Sequence, residues 1–261
     1  MGAQDRPNGV CTNDVGGVFS LRFASTTQLY LALRTLMCIN NTLDVGIHEW
    51  GLEARCIDPS HVSMGVLKIP REAFSEYSFS GEARFTLVVE KLLPALSSAG
   101  EGWVHIYQQR ESVGVVAEFK DGSVIVETED TIGPIPDPKV EFEVQALLIL
   151  DELRKLVVQA TRAGCANLRF TAQGDRFRVY SCGLTKTFSP IWFRHSTDNT
   201  EATYSLTQLR GMIINSNRRP RVVQASFGNT KPLSLSYILP LSYTLSAAHL
   251  KYFLAPIQLE G

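Results

Sequence analysis

The sequence predicts an α+β fold in which antiparallel sheets carry helices on one face, built as two similar halves. Three observations predict it. Helix-like segments begin near Thr27, Leu87, Leu147 and Thr207, an even spacing that marks an internal repeat. Short runs of alternating apolar and polar residues precede and follow each segment. A proline-rich, acidic stretch from Glu127 to Lys139 separates the second unit from the third.

In chain order, Met1 to Gly17 is rich in Gly, Asn and Asp without periodicity and reads as a mobile extension. Strands are expected at Val18–Ala24, Glu82–Leu87, Val140–Val144 and Glu201–Leu206, each leading into a helix. Further strands follow the helices, among them Leu43–Trp50, Val104–Gln109, Leu168–Ala172 and Val222–Phe227. Hairpin turns are expected at Gly51, Asp121-Gly122, Gly174-Asp175 and Gly228-Asn229. The segment E-T-E-D-T-I-G-P-I-P-D-P-K holds three prolines and four acidic residues, so it reads as an extended connector. The expected organisation is an extension over 1–17, a first domain over 18–126, a connector over 127–139 and a second domain over 140–261. A length of 261 residues fits about two domains.

Charge is distributed unevenly. The net charge is only −1, yet the four helical segments hold eight basic and three acidic residues. The basic ones are Arg34, Lys91, Arg154, Lys155, Arg162, Arg210, Arg218 and Arg219. The helices therefore carry +5 and the rest of the chain −6. A phosphate backbone responds to the local field, so this pattern fits a non-specific duplex contact. It equally fits a solvated helix face. On the third helix Ile149, Leu153, Leu156, Val157 and Ala160 form one stripe, with Lys155, Gln159 and Arg162 opposite. Pro94 inside the second helix is expected to kink it or delay its start.

Little points to chemistry. No phosphate-binding loop, zinc-protease motif or nucleophile elbow is present. Asp58 and His61 could form an acid/base pair or half a metal site, but no third partner stands at a matching spacing. No catalytic residue, metal site or cofactor is expected. The cysteines number five, with no C-x-x-C spacing, which argues against a disulfide framework or zinc site and for a reducing interior. No apolar run reaches the ~18 residues of a membrane span. The opening M-G-A-Q-D-R lacks a signal-peptide pattern, and Arg6 breaks the myristoylation pattern. Near the chain end, Tyr252–Ile257 is an apolar run containing Pro256, fit to be a final strand or one wall of a groove for a hydrophobically anchored peptide.

Two segments carry a family resemblance. G-L-E-A-R-C-I-D-P-S-H-V-S-M at Gly51–Met64 and H-L-K-Y-F-L-A-P at His249–Pro256 resemble the two signatures of the proliferating cell nuclear antigen family of DNA sliding clamps, with an archaeal-type likeness. The resemblance in layout runs from Val18 to about Pro256. It implies a three-subunit ring with helices lining the hole and sheets outside, sliding on duplex DNA. It implies tethering of DNA polymerase, ligase and flap nuclease through a short peptide motif, loading by a clamp loader, and an intracellular, DNA-associated location with no membrane. By this resemblance Ile57, His61, Val62, Ile132, Ile135, Pro232, Phe253, Ala255 and Pro256 line the partner pocket, and the basic helix residues line the channel. Ser123–Thr128 and Thr185–Phe193 become the edge strands that join subunits. The partner subunits are either the same chain or paralogues, the latter in a repair or checkpoint scaffold.

Overall fold

The computed structural model describes residues 17–80, 83–109, 114–127, 135–214, 220–241 and 246–258. The first half comprises β1 (Gly17–Phe23), α1 (Thr26–Leu36), β2 (Thr42–His48), β3 (Gly51–Ile57), β4 (Ser63–Pro70), β5 (Phe74–Phe79), β6 (Ala83–Val88), α2 (Val89–Ser98), β7 (Val104–Gln109), β8 (Gly114–Phe119) and β9 (Gly122–Glu127). The second comprises β10 (Val144–Ile149), α3 (Leu150–Arg162), β11 (Asn167–Gln173), β12 (Arg176–Ser181), β13 (Leu184–Phe188), β14 (Trp192–His195), β15 (Asn199–Ser205), α4 (Leu206–Ile214), β16 (Val222–Phe227), β17 (Leu233–Pro240) and β18 (Ala247–Leu254). A strand, a helix and three strands recur four times, with β5 and β14 as additions. The four anticipated hairpin turns are all present.

The strands pair antiparallel in three sheets. A nine-stranded sheet runs β14-β10-β16-β17-β18-β4-β3-β2-β6, a five-stranded sheet runs β5-β1-β7-β8-β9, and a four-stranded sheet runs β13-β12-β11-β15. The nine-stranded sheet spans both halves. Its central joint is β18 on β4, with Leu254 opposite Ser63 and His249 opposite Lys68. This joint exposes the repeat. The strands β14-β10-β16-β17-β18 occupy the same order as β5-β1-β7-β8-β9, and β4-β3-β2-β6 the same order as β13-β12-β11-β15. Where β18 meets β4 inside the chain, the corresponding strands β9 and β13 are both open edges.

The helices follow from apolar spacing. Leu29, Leu33 and Leu36 of α1, Leu92 and Leu96 of α2, Leu153, Leu156 and Val157 of α3, and Leu209 and Met212 of α4 are buried against the sheets. Ser25 caps α1 by accepting from the Gln28 N–H at 3.2 Å. Helices α1 and α2 pack together, as do α3 and α4. The halves also meet through helices, because a Cβ at Gly211 of α4 would stand 3.1 Å from Cys38 Cβ just past α1. The buried Tyr252 hydroxyl on β18 donates to the Thr35 carbonyl on α1 at 2.6 Å.

The structure corrects several expectations. The strand placed at Val140–Val144 lies instead at Val144–Ile149, and α3 starts at Leu150. Ile149 is therefore a strand residue, 44% exposed, and Leu150 takes its place in the core. Pro94 sits on the solvent side of α2, where the missing N–H leaves the Glu90 carbonyl without its helical donor. The single edge expected over Thr185–Phe193 is split at Ser189-Pro190, and Trp192 and Phe193 pair with β10. Cys165 and Cys182 are joined as a disulfide across a Cα separation of 5.7 Å, where the cysteine spacing argued against a disulfide framework.

Candidate peptide groove and helix-lined face

Three strand ends meet at one corner of the nine-stranded sheet. The Ala255 N–H, just past β18, donates to the Val62 carbonyl at 2.7 Å. Because Leu254 pairs with Leu233 on its other side, Pro232 stands level with Ala255. Val62, Ala255 and Pro232 thus lie side by side. Val62 is 38% exposed, and Ala255 and Pro256 are partly exposed. The Ile257 N–H donates to the Thr203 carbonyl at 2.8 Å, which holds the tail against β15.

Below this corner is a small apolar cluster separate from the main core. Phe253, Met64, Val66 and Ile135 are buried together, with Ile57 and Phe142 against them. Ile135 brings the connector onto the outer face of the sheet, and burying it contributes roughly 2 kcal/mol. Arg55 adds a polar clasp, its Nη1 donating to the Ile135 carbonyl at 2.6 Å. Arg55 is oriented by Glu53 at 2.5 Å, which also meets Lys68 at 3.0 Å. Burial alone would raise the Glu53 carboxyl, but the bonds from Arg55 and Lys68 hold it below the usual glutamate range. Ile132 lies outside the described residues.

The Asp58–Ser63 loop forms the third wall. Asp58 Oδ1 accepts from the Ser63 N–H at 2.5 Å and the Ser63 hydroxyl at 3.1 Å, and Oδ2 accepts from the Ser60 N–H at 3.0 Å. Burial raises the carboxyl pKa; the hydrogen bonds from Ser63 and Ser60 outweigh it and lower the value. Asp58 is thereby committed to shaping the loop. His61 is exposed at its tip with φ 58°, and its N–H donates to the Asp58 carbonyl at 2.9 Å. The Asp58 side chain and the His61 backbone serve the turn, and no hydrogen bond or ion pair joins the two side chains among the described residues.

On the helices, Arg34, Lys91, Lys155, Arg162 and Arg210 are exposed. Arg154 is half-buried and pairs with Asp151 at 3.2 Å. Lys155, Arg162 and Arg210 have no ion-pair partner among the described residues. Arg218 and Arg219 lie outside those residues. No group of three or more His, Cys, Asp or Glu that could hold a metal occurs among the described residues.

No family model matches the chain. The DNA polymerase sliding clamp of Methanopyrus kandleri is 26% identical over 229 residues, covering 80% of this chain and 86% of its own. Among solved structures, A. fulgidus PCNA bound to the C-terminal region of FEN-1 superposes with a TM-score of 0.79 at 18% identity, over 93% of this chain and 100% of that one. A PCNA2–PCNA3 complex from Sulfolobus tokodaii gives a TM-score of 0.73 at 18% identity, over 91% and 98%. The chain is thus similar in sequence to DNA polymerase sliding clamps and shares the fold of the PCNA structures.

The candidate groove holds three residues that the sequence does not single out. Met64 and Val66 lie on the same face as Val62, two and four residues on, so the two-residue period of a strand could have found them. Arg55 stands two residues before Ile57 on β3 and faces the same side. The buried Phe253 ring carries the Lys251 ammonium 4.7 Å from its centroid. The apolar cluster therefore reaches one strand row further than its most exposed residues indicate.

Proposed function

We propose that this chain is one subunit of a closed three-membered ring that encircles duplex DNA and tethers replication and repair enzymes without performing chemistry. The observation that carries the reading is the pair of open edges. Strand β9 ends a five-stranded sheet and β13 ends a four-stranded sheet, in the positions that β18 and β4 fill when they join inside the chain. Pairing β9 of one copy with β13 of the next repeats that joint between subunits. The contact is head-to-tail, so it closes into a ring when the rotation permits. The helices then face the hole, and the exposed Arg34, Lys91, Lys155, Arg162 and Arg210, with Arg154, Arg218 and Arg219, meet phosphates without reading bases.

The groove of Ile57, Val62, Met64, Pro232, Phe253 and Ala255, bordered by His61, Pro256 and the connector at Ile132 and Ile135, takes the anchoring side chains of a partner peptide. A flap nuclease is the first candidate partner, given the FEN-1 segment on the similar A. fulgidus protein. DNA polymerase, ligase and the clamp loader are others. Tethering raises a partner's effective concentration at DNA and requires no catalytic group. A mixed ring with paralogues is a second reading, favoured by the single basic residue on each of α1 and α2.

Size-exclusion chromatography with light scattering, on the chain alone and mixed with related clamp subunits, tests the ring. A trimer in either case supports it. A chain that stays monomeric in both overturns it, and a trimer formed alone removes the need for paralogues.

A further inference from the structure

We propose that the outer face of the nine-stranded sheet carries a second docking compartment beside the Phe253 groove, which takes an apolar side chain and a neighbouring carboxylate from the same partner segment. The inference rests on the peptide-tethering reading and extends the site by a chemically distinct half.

The compartment is a cavity of about 510 Å³ between the connector at Asp137 and strands β10, β16, β17 and β18. One wall is apolar. Ile238, 60% exposed, lies beside Val222 and Leu147 there, and Leu147 pairs across β10 and β14 with Trp192, itself 46% exposed. Large apolar side chains gathered on one sheet face mark a surface that another chain covers. The other wall carries Lys251, Lys68 and His249; Lys68, His249 and Ile238 are level with one another, and Lys251 lies two residues along β18 on the same face.

The two lysines are not equivalent. Lys68 is neutralised by Glu53 at 3.0 Å. Lys251 lies against the Phe253 ring and has no carboxylate within ion-pair distance among the described residues. Burial lowers the Lys251 pKa, Asp137 raises it from a distance and Lys68 lowers it further. A half-buried ammonium in that setting gains most from a carboxylate brought in beside it. The apolar wall disfavours a phosphate backbone, which has no apolar group to place against it. Val66 belongs both to the Phe253 cluster and to the cavity lining, so one peptide can run from one into the other.

The test uses three fluorescent synthetic peptides. One holds an apolar-aromatic anchor segment; the second extends it by a leucine and two glutamates; the third replaces those glutamates by lysines. Anisotropy is measured on the assembled protein, wild type and variants. The acidic extension is expected to tighten wild-type binding about tenfold over the anchor alone. Ile238→Ser should remove that gain and leave the anchor peptide's affinity unchanged. Lys251→Met, which keeps the side-chain stem, should abolish the preference for glutamate over lysine. Phe253→Ala should weaken all three. An acidic extension that adds nothing on the wild type, or an Ile238→Ser loss equal for all three peptides, overturns the compartment. So does displacement of the acidic extension by short single-stranded DNA while the anchor stays bound. If Phe253→Ala spares the anchor peptide while Ile238→Ser still removes the gain, the compartment stands and the groove assignment falls.

Discussion

The Ala255 N–H donates to the Val62 carbonyl at 2.7 Å, and through this bond the end of the last strand is fixed to a loop almost two hundred residues earlier. The two residues flank the groove mouth and belong to opposite halves of the chain. Substituting the Ala255 side chain tests the groove without breaking the joint, because the N–H is retained. Ala255→Asp places a charge beside Val62 and Pro232, where an apolar anchor is expected to dock. The expected result is a loss of peptide affinity of about tenfold or more with a small change in melting temperature. Isothermal calorimetry with the anchor peptide, paired with a thermal melt, reads both.

Asp58 offers a pH test. Its folded-state carboxyl is held below the ordinary aspartate range by the donors of Ser63 and Ser60, which outweigh burial. The stability it contributes is present above its unfolded value near pH 4 and is lost as pH falls through the lower folded value. Asp58→Ala is therefore expected to cost about 1–2 kcal/mol near neutral pH, with the gap to wild type closing below about pH 4. Urea titrations at neutral and acidic pH measure it. A gap that stays constant down to the acid limit would show that the loop does not depend on the ionised form.

Much of this fold was legible because turns carry chemistry. Asp121-Gly122 and Gly174-Asp175 supply tight-turn residues, and the repeat spacing placed all four helices. The run Val144–Val157 was harder, since Leu147, Leu148, Ile149 and Leu150 fit both strand and helix periods and contain no cap. Only the pairing of Leu147 with Trp192 and Gln224 shows that the strand continues through it. The Cys165–Cys182 bridge was illegible for another reason. The β11–β12 hairpin brings these residues together, with Ser181 Oγ donating to the Asn167 carbonyl at 2.7 Å, and the spacing alone records none of that. At the proposed groove, Phe253 and Val62 are named through family likeness alone, whereas the place of Arg55 against Ile135 follows only from the folded connector.

The helix face yields a prediction through salt. Lys155 and Arg162 are exposed on α3 without ion-pair partners among the described residues. If each neutralises a phosphate, Lys155→Ala with Arg162→Ala should reduce the slope of log K against log salt by about 1.8, from roughly 0.9 per contact. Binding of the ring to duplex DNA across a salt series measures the slope. An unaltered slope would make these residues part of a solvated face only.

The open edge at β13 can be tested by proline. In an antiparallel strand, consecutive residues direct their N–H groups alternately to the two sides. Of Lys186 and Thr187, one therefore bonds to β12 and the other points its N–H at the open edge. Replacing each in turn by proline deletes one donor. The proline that deletes the β12 bond should lower the melting temperature. The other should leave the monomer fold nearly intact and abolish assembly, since its only lost backbone bond is one that β9 of the next copy would accept; if that residue is Lys186, an exposed ion pair to Glu152 at 3.2 Å goes with it. Light scattering and thermal melts on Lys186→Pro and Thr187→Pro distinguish the two. If neither variant separates assembly from stability, the subunits do not join through this edge, and the correspondence of β9 and β13 with β18 and β4 is a relic of the repeat alone.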